Sequence, residues 1–346
     1  MKFLCFLLAA LFTVAFLFGC SDGKTETIKI GLITTGMAFD EDPYNSITWK
    51  ALKEAAELYG CSYAYADPEN PDTQGFIEAA KQLYSDGCRM IIFPHIKMSD
   101  AVVQLQDKYK NCKFVCLDFS IAKPSKNTLC ITYSQLESGF IAGIAAACEL
   151  NTGSFGAILG MDIPSSQRYS YGFSHGVTYA NANFGTSVSI ESSNIIFVGS
   201  YNDPALAEKL ASQMYISGIN CILTDGKNTS LGVYAAARKS INEGINAYVA
   251  GFELDSLLKG SSQHQNNTVV SVIGLPYSAF CSVIKSYFNG SFQGGSIITL
   301  GASEDVLGLH PDLVNLSTNT LDACNLMLEK LKNGSFVLHD PTTLLK

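Results

Sequence analysis

Arginine is scarce in this chain. Three occur among 346 residues, Arg89, Arg168 and Arg238, and they form no basic stripe with the lysines. Together with a net charge of −8, this makes nucleic acid a poor partner. Histidine is almost as rare: the five, His95, His175, His264, His310 and His339, make no HExxH pair. The Walker GxxxxGK and GxGxxG patterns are also missing, so metalloprotease, P-loop and dinucleotide-binding readings have no foothold. No enzyme activity, metal or cofactor is expected. Low-complexity runs and coiled-coil heptads are absent as well. What remains is a weakly charged chain, 16% charged against 47% hydrophobic, long enough for two domains with separate cores.

Long apolar runs are missing except at the N-terminus. Lys2 is a minimal positive region, Phe3 to Phe18 is apolar, and Leu17-Phe18-Gly19-Cys20 precedes the polar run Ser21 to Glu26. The first 19 residues read as an export signal rather than structure. A small residue followed by cysteine is similar to the bacterial lipobox, which predicts that Cys20 is lipidated and that residues 20–27 are a tether. The remainder is expected outside the membrane but held on it, facing the periplasm or the cell exterior. Of eleven cysteines, nine remain after Cys5 and Cys20, and an odd number cannot all pair. Cys112, Cys116, Cys130, Cys148 and Cys221 lie within apolar runs, without CxxC spacing or a neighbouring histidine. They read as small buried hydrophobes.

The organising stretch is Lys29–Trp49. Ile28 to Ile33 is a short β-branched run that reads as a strand buried on both faces of a parallel sheet. The loop after it, Thr34 to Pro43, holds Asp40, Glu41 and Asp42, but no lysine and one glycine, Gly36. That composition is unlike a phosphate cradle and suits a neutral polar ligand that donates hydrogen bonds. A helix follows, with Tyr44 and Asn45 at its opening. Strand and helix then alternate along the chain to about Asn289, which means parallel sheets with helices on both faces. The strands exceed one comfortable sheet, so two lobes are expected. Asp40, Asp118, Asp162, Asp225, Glu253 and Asp255 each follow a predicted strand. Any one could be a helix cap. Their repetition points to one cleft at the carboxyl ends of the strands.

Several motifs carry a resemblance. Phe39-Asp40-Glu41-Asp42-Pro43-Tyr44-Asn45-Ser46-Ile47-Thr48-Trp49 is similar to IDDKSFNQSAWEG. Leu159-Gly160-Met161-Asp162-Ile163-Pro164, leading through Arg168-Tyr169 to Gly172-Phe173, is similar to GGMDIPxxxRFxxGF. Gly199-Ser200-Tyr201-Asn202-Asp203-Pro204 matches GSFNDP, and Ile141-Ala142-Gly143-Ile144-Ala145-Ala146-Ala147 matches LAGxAAA. From about Ile28 to about Leu309 the chain resembles the basic membrane lipoproteins. These are substrate-binding proteins of ABC transporters and include purine nucleoside receptor lipoproteins.

The resemblance implies an α/β, type I periplasmic-binding-protein fold: two Rossmann-like lobes with parallel sheets, joined by a three-crossover hinge that closes on ligand. It implies residues 28–133 and 256–293 in the N-lobe, residues 134–255 and 294–346 in the C-lobe, and crossovers near Tyr133, Asp255 and Gly294. It implies a nucleoside ligand, with ABC permease and ATPase subunits as partners. Asp40, Tyr44, Asn45 and Asp118 would bind from one lobe. Tyr169 would stack on the base, Asp225 would line the cleft, and Glu253 would hold the ribose. The chain departs from the family at three places. GGTGLG becomes Lys227-Asn228-Thr229-Ser230-Leu231-Gly232, an aspartate becomes Glu253, and the lysine of SVVK becomes Gly274. A sugar or other small polar molecule in the same cleft is the alternative ligand.

Overall fold

The computed structural model describes residues 27–36, 43–225, 227–252, 267–310 and 316–340. Cys20, Asp40 and Glu253 lie outside those residues. Two six-stranded sheets form. In the first, β1 (Lys29–Ile33), β2 (Ser62–Ala66), β3 (Cys88–Phe93), β4 (Lys113–Leu117), β5 (Thr128–Tyr133) and β11 (Ser296–Leu300) take the order β11-β5-β4-β3-β1-β2, all parallel. The second contains β6 (Thr152–Leu159), β7 (Ser187–Phe197), β8 (Ile219–Leu223), β9 (Tyr248–Gly251), β10 (Thr268–Gly274) and β12 (Leu307–Leu309), in the order β12-β10-β9-β8-β6-β7. There β12 alone runs antiparallel, against β10.

Each sheet is apolar on both faces because helices cover both. Alternate residues of the first sheet, Ile30, Leu32, Met90, Ile92, Val115 and Leu117, pack with Leu52 of α1 (Pro43–Leu58) and Phe280 of α8 (Pro276–Phe288). The intervening residues Ile33, Ile91, Phe93, Phe114 and Cys116 pack with α2 (Thr73–Ser85) and α3 (Ser99–Leu105). The second sheet repeats the scheme. Phe155, Leu159, Leu223 and Val272 face α4 (Gln135–Leu150), α5 (Pro164–Asn183) and α9 (Thr318–Lys332). Ile158, Ile222 and Val249 face α6 (Pro204–Ile216) and α7 (Lys227–Asn242). This double burial is the reason the strands read as continuous apolar runs. All nine described cysteines are free, and seven are buried within these cores.

The glycines of Ile141–Ala147 and Gly172–Phe173 have a packing reason. Gly139 and Gly143 of α4 face Gly172 and Gly176 of α5, both pairs at four-residue spacing. A Cβ on Gly143 would stand 2.2 Å from the Phe173 carbonyl oxygen, and one on Gly176 2.2 Å from that of Phe140. The two backbones touch, and no larger residue fits between them.

The chain passes between the sheets three times. The first passage is at Tyr133–Ser134. The other two differ from expectation. Thr268–Gly274, assigned by the resemblance to the first lobe, hydrogen-bonds to β9 in the second sheet, so the second passage lies at Gly274–Pro276 rather than near Asp255. Ser296–Leu300 pairs with β5 in the first sheet, so the third lies between Leu300 and Leu307 rather than near Gly294. An apolar, β-branched run such as Val269–Ile273 fits the interior of either sheet, and the pairing decides. The helix after it, α8, does pack on α1 in the first lobe.

Candidate functional site

The three passages leave the sheets from the carboxyl ends of β5, β10 and β11, and they touch one another there. Ser134 N–H donates to the Leu300 carbonyl (2.8 Å), and Leu275 N–H donates to that of Val306 (2.7 Å). A Cβ on Gly274 would stand 2.3 Å from Cε2 of Tyr133. The carboxyl ends of both sheets therefore meet at the hinge, and the loops around them form the candidate site.

On the first lobe, Asn45 is buried and its amide is engaged locally. Its Nδ2 donates to Thr35 Oγ1 (2.9 Å), and its Oδ1 accepts from Thr35 N–H (3.3 Å). Asn45 thus pins the loop that leaves β1. Beside it, the Thr34 hydroxyl donates to Asp67 at the end of β2. Asp118 follows β4 with φ of 63°, a backbone conformation rarely adopted by a non-glycine residue, and its N–H is held by the Ile131 carbonyl at 2.8 Å. Its carboxylate is exposed and, after the burial of the ring itself, is the second cause raising the Tyr133 hydroxyl well above the usual tyrosine range. Tyr44 lies in the first turn of α1. His95 caps a short turn, Nδ1 accepting from Lys97 N–H at 3.1 Å.

On the second lobe, Asp225 follows β8, and its two carboxylate oxygens are both engaged. Oδ1 accepts from Gly160 N–H (2.9 Å) and Oδ2 accepts from the Ser166 hydroxyl. Ser166 also meets the Tyr201 hydroxyl at 2.8 Å, and a Cβ on Gly160 would lie 2.2 Å from the Tyr201 ring. Asp225, Ser166 and Tyr201 therefore clamp the ends of β6 and β8 to the first turn of α5. Burial is the largest cause raising the Tyr201 hydroxyl. Tyr169, one turn further along α5, stacks on Phe252 at the end of β9, with centroids 4.0 Å apart and planes 23° apart. Both rings are half-buried. Arg168 points elsewhere, its Nε donating to Asp340 Oδ2 at 2.6 Å.

The structure thus brings Asp118 and Asn45 to one carboxyl edge and Tyr169 and Asp225 to the other, and it gives Asn45 and Asp225 holding roles. Ser166, Tyr201, Phe252 and Thr35 were not singled out in the sequence. Tyr201 sits inside the recognised Tyr-Asn-Asp-Pro motif, and Phe252 ends a predicted strand beside a carboxylate, so each had a positional signal. Ser166 and Thr35 had none. Among the described residues, no three His, Cys, Asp or Glu side chains are grouped to share a metal ion, and no helix is long and apolar enough to cross a membrane.

Comparison with known proteins places this arrangement. The family model "Bmp: ABC transporter substrate-binding protein PnrA-like" matches residues 27–337. Basic membrane protein D of Borreliella burgdorferi is 28% identical over 331 residues, covering 94% of this chain and 90% of that protein. The ABC transporter nucleoside-binding protein BmpA of Lactococcus lactis is 25% identical over 336 residues, covering 91% and 92%. An ABC transporter solute-binding protein from Aeropyrum pernix superimposes with a TM-score of 0.60 at 20% identity, over 91% of this chain and 94% of that one. The last likeness carries the fold alone.

Proposed function

Because the chain belongs to the Bmp family of ABC transporter substrate-binding proteins, we propose that it is a membrane-tethered receptor for a purine nucleoside. It captures the ligand between its lobes and presents it to a permease and its ATPase. The observation that carries the ligand class is the Tyr169–Phe252 pair at the carboxyl edge of the second sheet. Two stacked, half-buried rings offer a flat apolar surface where a base can lie. Asp118, exposed and held in an unusual backbone conformation at the opposite edge, supplies an acceptor for the polar end of the ligand. The name of the Lactococcus relative supports the same class. The protein acts by binding and release, without chemistry on the ligand.

The test is a thermal-shift screen of nucleosides, free bases, sugars and amino acids, followed by calorimetry. A ligand at 100 times its Kd adds about 2.7 kcal/mol of stability. Purine nucleosides should raise the melting temperature most. A response confined to sugars or amino acids would overturn the nucleoside reading. The tether is tested separately: Cys20→Ala should release the protein from the membrane fraction, and retention there would refute lipidation at Cys20.

A further inference from the structure

The first crossover carries a helix-capping pattern that is completed across the hinge instead of within the helix. Ser134-Gln135-Leu136-Glu137 has the S-x-x-E spacing of a capping box, and half of the box is present: Ser134 Oγ accepts from Glu137 N–H at 3.3 Å. In a closed box the glutamate side chain reaches back to the N–H of the capping serine. Here that N–H is given to the Leu300 carbonyl (2.8 Å), and Glu137 Oε2 turns to the third crossover, where it accepts from Ala302 N–H at 2.8 Å. Its place is made by Gly301, whose missing Cβ would fall 2.2 Å from Glu137 Oε2. The neighbouring N–H, that of Gly301, is held by Glu304 Oε2 at 2.8 Å, so Glu304 closes its own local turn while Glu137 does not. Glu137 opens α4, which is seated directly on the α5 backbone, and α5 carries Tyr169. Ala302 follows β11 of the first sheet.

We propose that Glu137 is a positioning residue of the hinge. Its carboxylate ties the crossover leaving the first sheet to the helix that carries the second lobe, and so fixes the lobe angle at which ligand is captured. The ligand part of this inference rests on the nucleoside reading given above; the hinge part does not. Without the tie, the crossovers sample additional lobe arrangements, and the fraction competent to bind falls, weakening apparent affinity by the same factor.

The test uses the mature protein and four variants: Glu137→Ala, Glu137→Gln, Glu137→Asp and Gly301→Ala. Hydrogen exchange of the Ala302 amide and solution scattering are measured without ligand, and Kd is measured with guanosine, inosine, adenosine and uridine. Glu137→Ala should speed exchange at Ala302 at least tenfold, broaden the unliganded size distribution and weaken nucleoside binding at least threefold. Gly301→Ala, which displaces the carboxylate without altering it, should do the same. Glu137→Gln keeps an acceptor oxygen at the same reach and should restore slow exchange and affinity. Glu137→Asp is one methylene short and should not, and it replaces Glu137→Ala if that variant does not fold. Unchanged exchange and scattering in folded Glu137→Ala and Gly301→Ala would overturn the proposal, as would a loss that Glu137→Gln fails to rescue. If the parent protein binds none of the four nucleosides, the nucleoside reading falls, while exchange and scattering still decide the hinge role.

Discussion

The ring of Tyr133 fills the space that a side chain at Gly274 would need: a Cβ there would stand 2.3 and 2.4 Å from Cε2 and Cδ2 of the tyrosine. Tyr133 ends β5 and Gly274 ends β10, so the contact joins the first crossover to the second. A side chain such as the lysine that the resemblance implies at this position would meet the ring. Gly274→Ala should therefore destabilise the fold by about 1–3 kcal/mol through overpacking. In a Tyr133→Ala background the same substitution should cost at least about 0.5 kcal/mol less. Urea unfolding of the four proteins measures this coupling, and an additive cycle would mean that the two positions are independent.

The α4–α5 seam gives a prediction against helix propensity. Alanine is worth about 1 kcal/mol more than glycine inside an isolated helix. At Gly143 a methyl group meets the Phe173 carbonyl, and at Gly176 that of Phe140. Gly143→Ala and Gly176→Ala should each lower stability by about 1–3 kcal/mol. A rise in melting temperature for either would show that the helices can separate cheaply.

The buried thiols should be out of a reagent's reach in the folded protein, Cys130 included: its hydrogen bond with Cys116 lowers it, but no part of it is exposed. Burial pushes Cys88 up to about 11 and Cys112 up to about 12, far above neutral pH, where thiolate is scarce. Cys148 is likewise raised, to about 11, although it is only half-buried. With a chromogenic disulfide reagent at pH 7, labelling of a chain lacking the first 26 residues should stay below the two partly exposed thiols, Cys148 and Cys281, until denaturant exposes all nine. Rapid labelling of more than two without denaturant would contradict this core.

Glu137 also sets a pH dependence. Burial is the largest cause raising its carboxyl above the ordinary glutamate value, and the facing Glu304 carboxylate adds to it, while the Ala302 N–H and the Ser134 hydroxyl oppose it. The folded state therefore holds this proton more tightly than the unfolded chain. The resulting stability is fully present below the ordinary value of about 4.3 and is lost as pH rises through the raised one. Glu137→Gln does not titrate at this position, so its stability relative to the parent should rise with pH across that window. Urea midpoints of both proteins at half-unit pH intervals measure the slope, and a relative stability that falls with rising pH would refute the assignment.

Most of the interior was legible because burial on both faces writes strands as apolar runs. Ile28–Ile33, Lys113–Asp118 and Cys221–Thr224 were located to within a residue or two. The strands missed outright lie at sheet edges. Ser296–Leu300 and Leu307–Leu309 went unread, and only the last three residues of Ser187–Phe197 were found, while the interior strand Thr152–Leu159 was cut to its second half. The outward residues of the edge strands, such as Ser187, Ser189 and Glu191, are exposed and break the apolar pattern. The site was legible by residue type but less so by role. Asp225 and Asn45 were found by position, yet hydrogen bonds to Gly160, Ser166 and Thr35 turn them into braces, and such partners are brought together by the fold rather than by spacing. Asp118 kept an exposed carboxylate because a left-handed backbone turns the chain at that point, which no local pattern announces.

Tyr169 and Asp225 should separate binding from bracing. Asp225 accepts from Gly160 N–H and from the Ser166 hydroxyl, so Asp225→Asn exchanges a charge-assisted acceptor for a neutral amide. Its main effect should be on the fold, about 1.5–3 kcal/mol, with a matching fall in melting temperature before any ligand is added. Tyr169 has one face on Phe252 and lies half-buried at the carboxyl edge. Tyr169→Phe keeps the stack and should change nucleoside affinity little. Tyr169→Ala removes the stacking surface, worth roughly 0.5–1.5 kcal/mol beyond buried area, and should weaken nucleosides across the whole series while leaving any sugar response alone. Calorimetry on variants first checked for folding measures both effects. If Tyr169→Ala lowers melting temperature but leaves affinity per folded molecule unchanged, the Tyr169–Phe252 pair is core packing, and the ligand must be recognised by the polar edge around Asp118 instead.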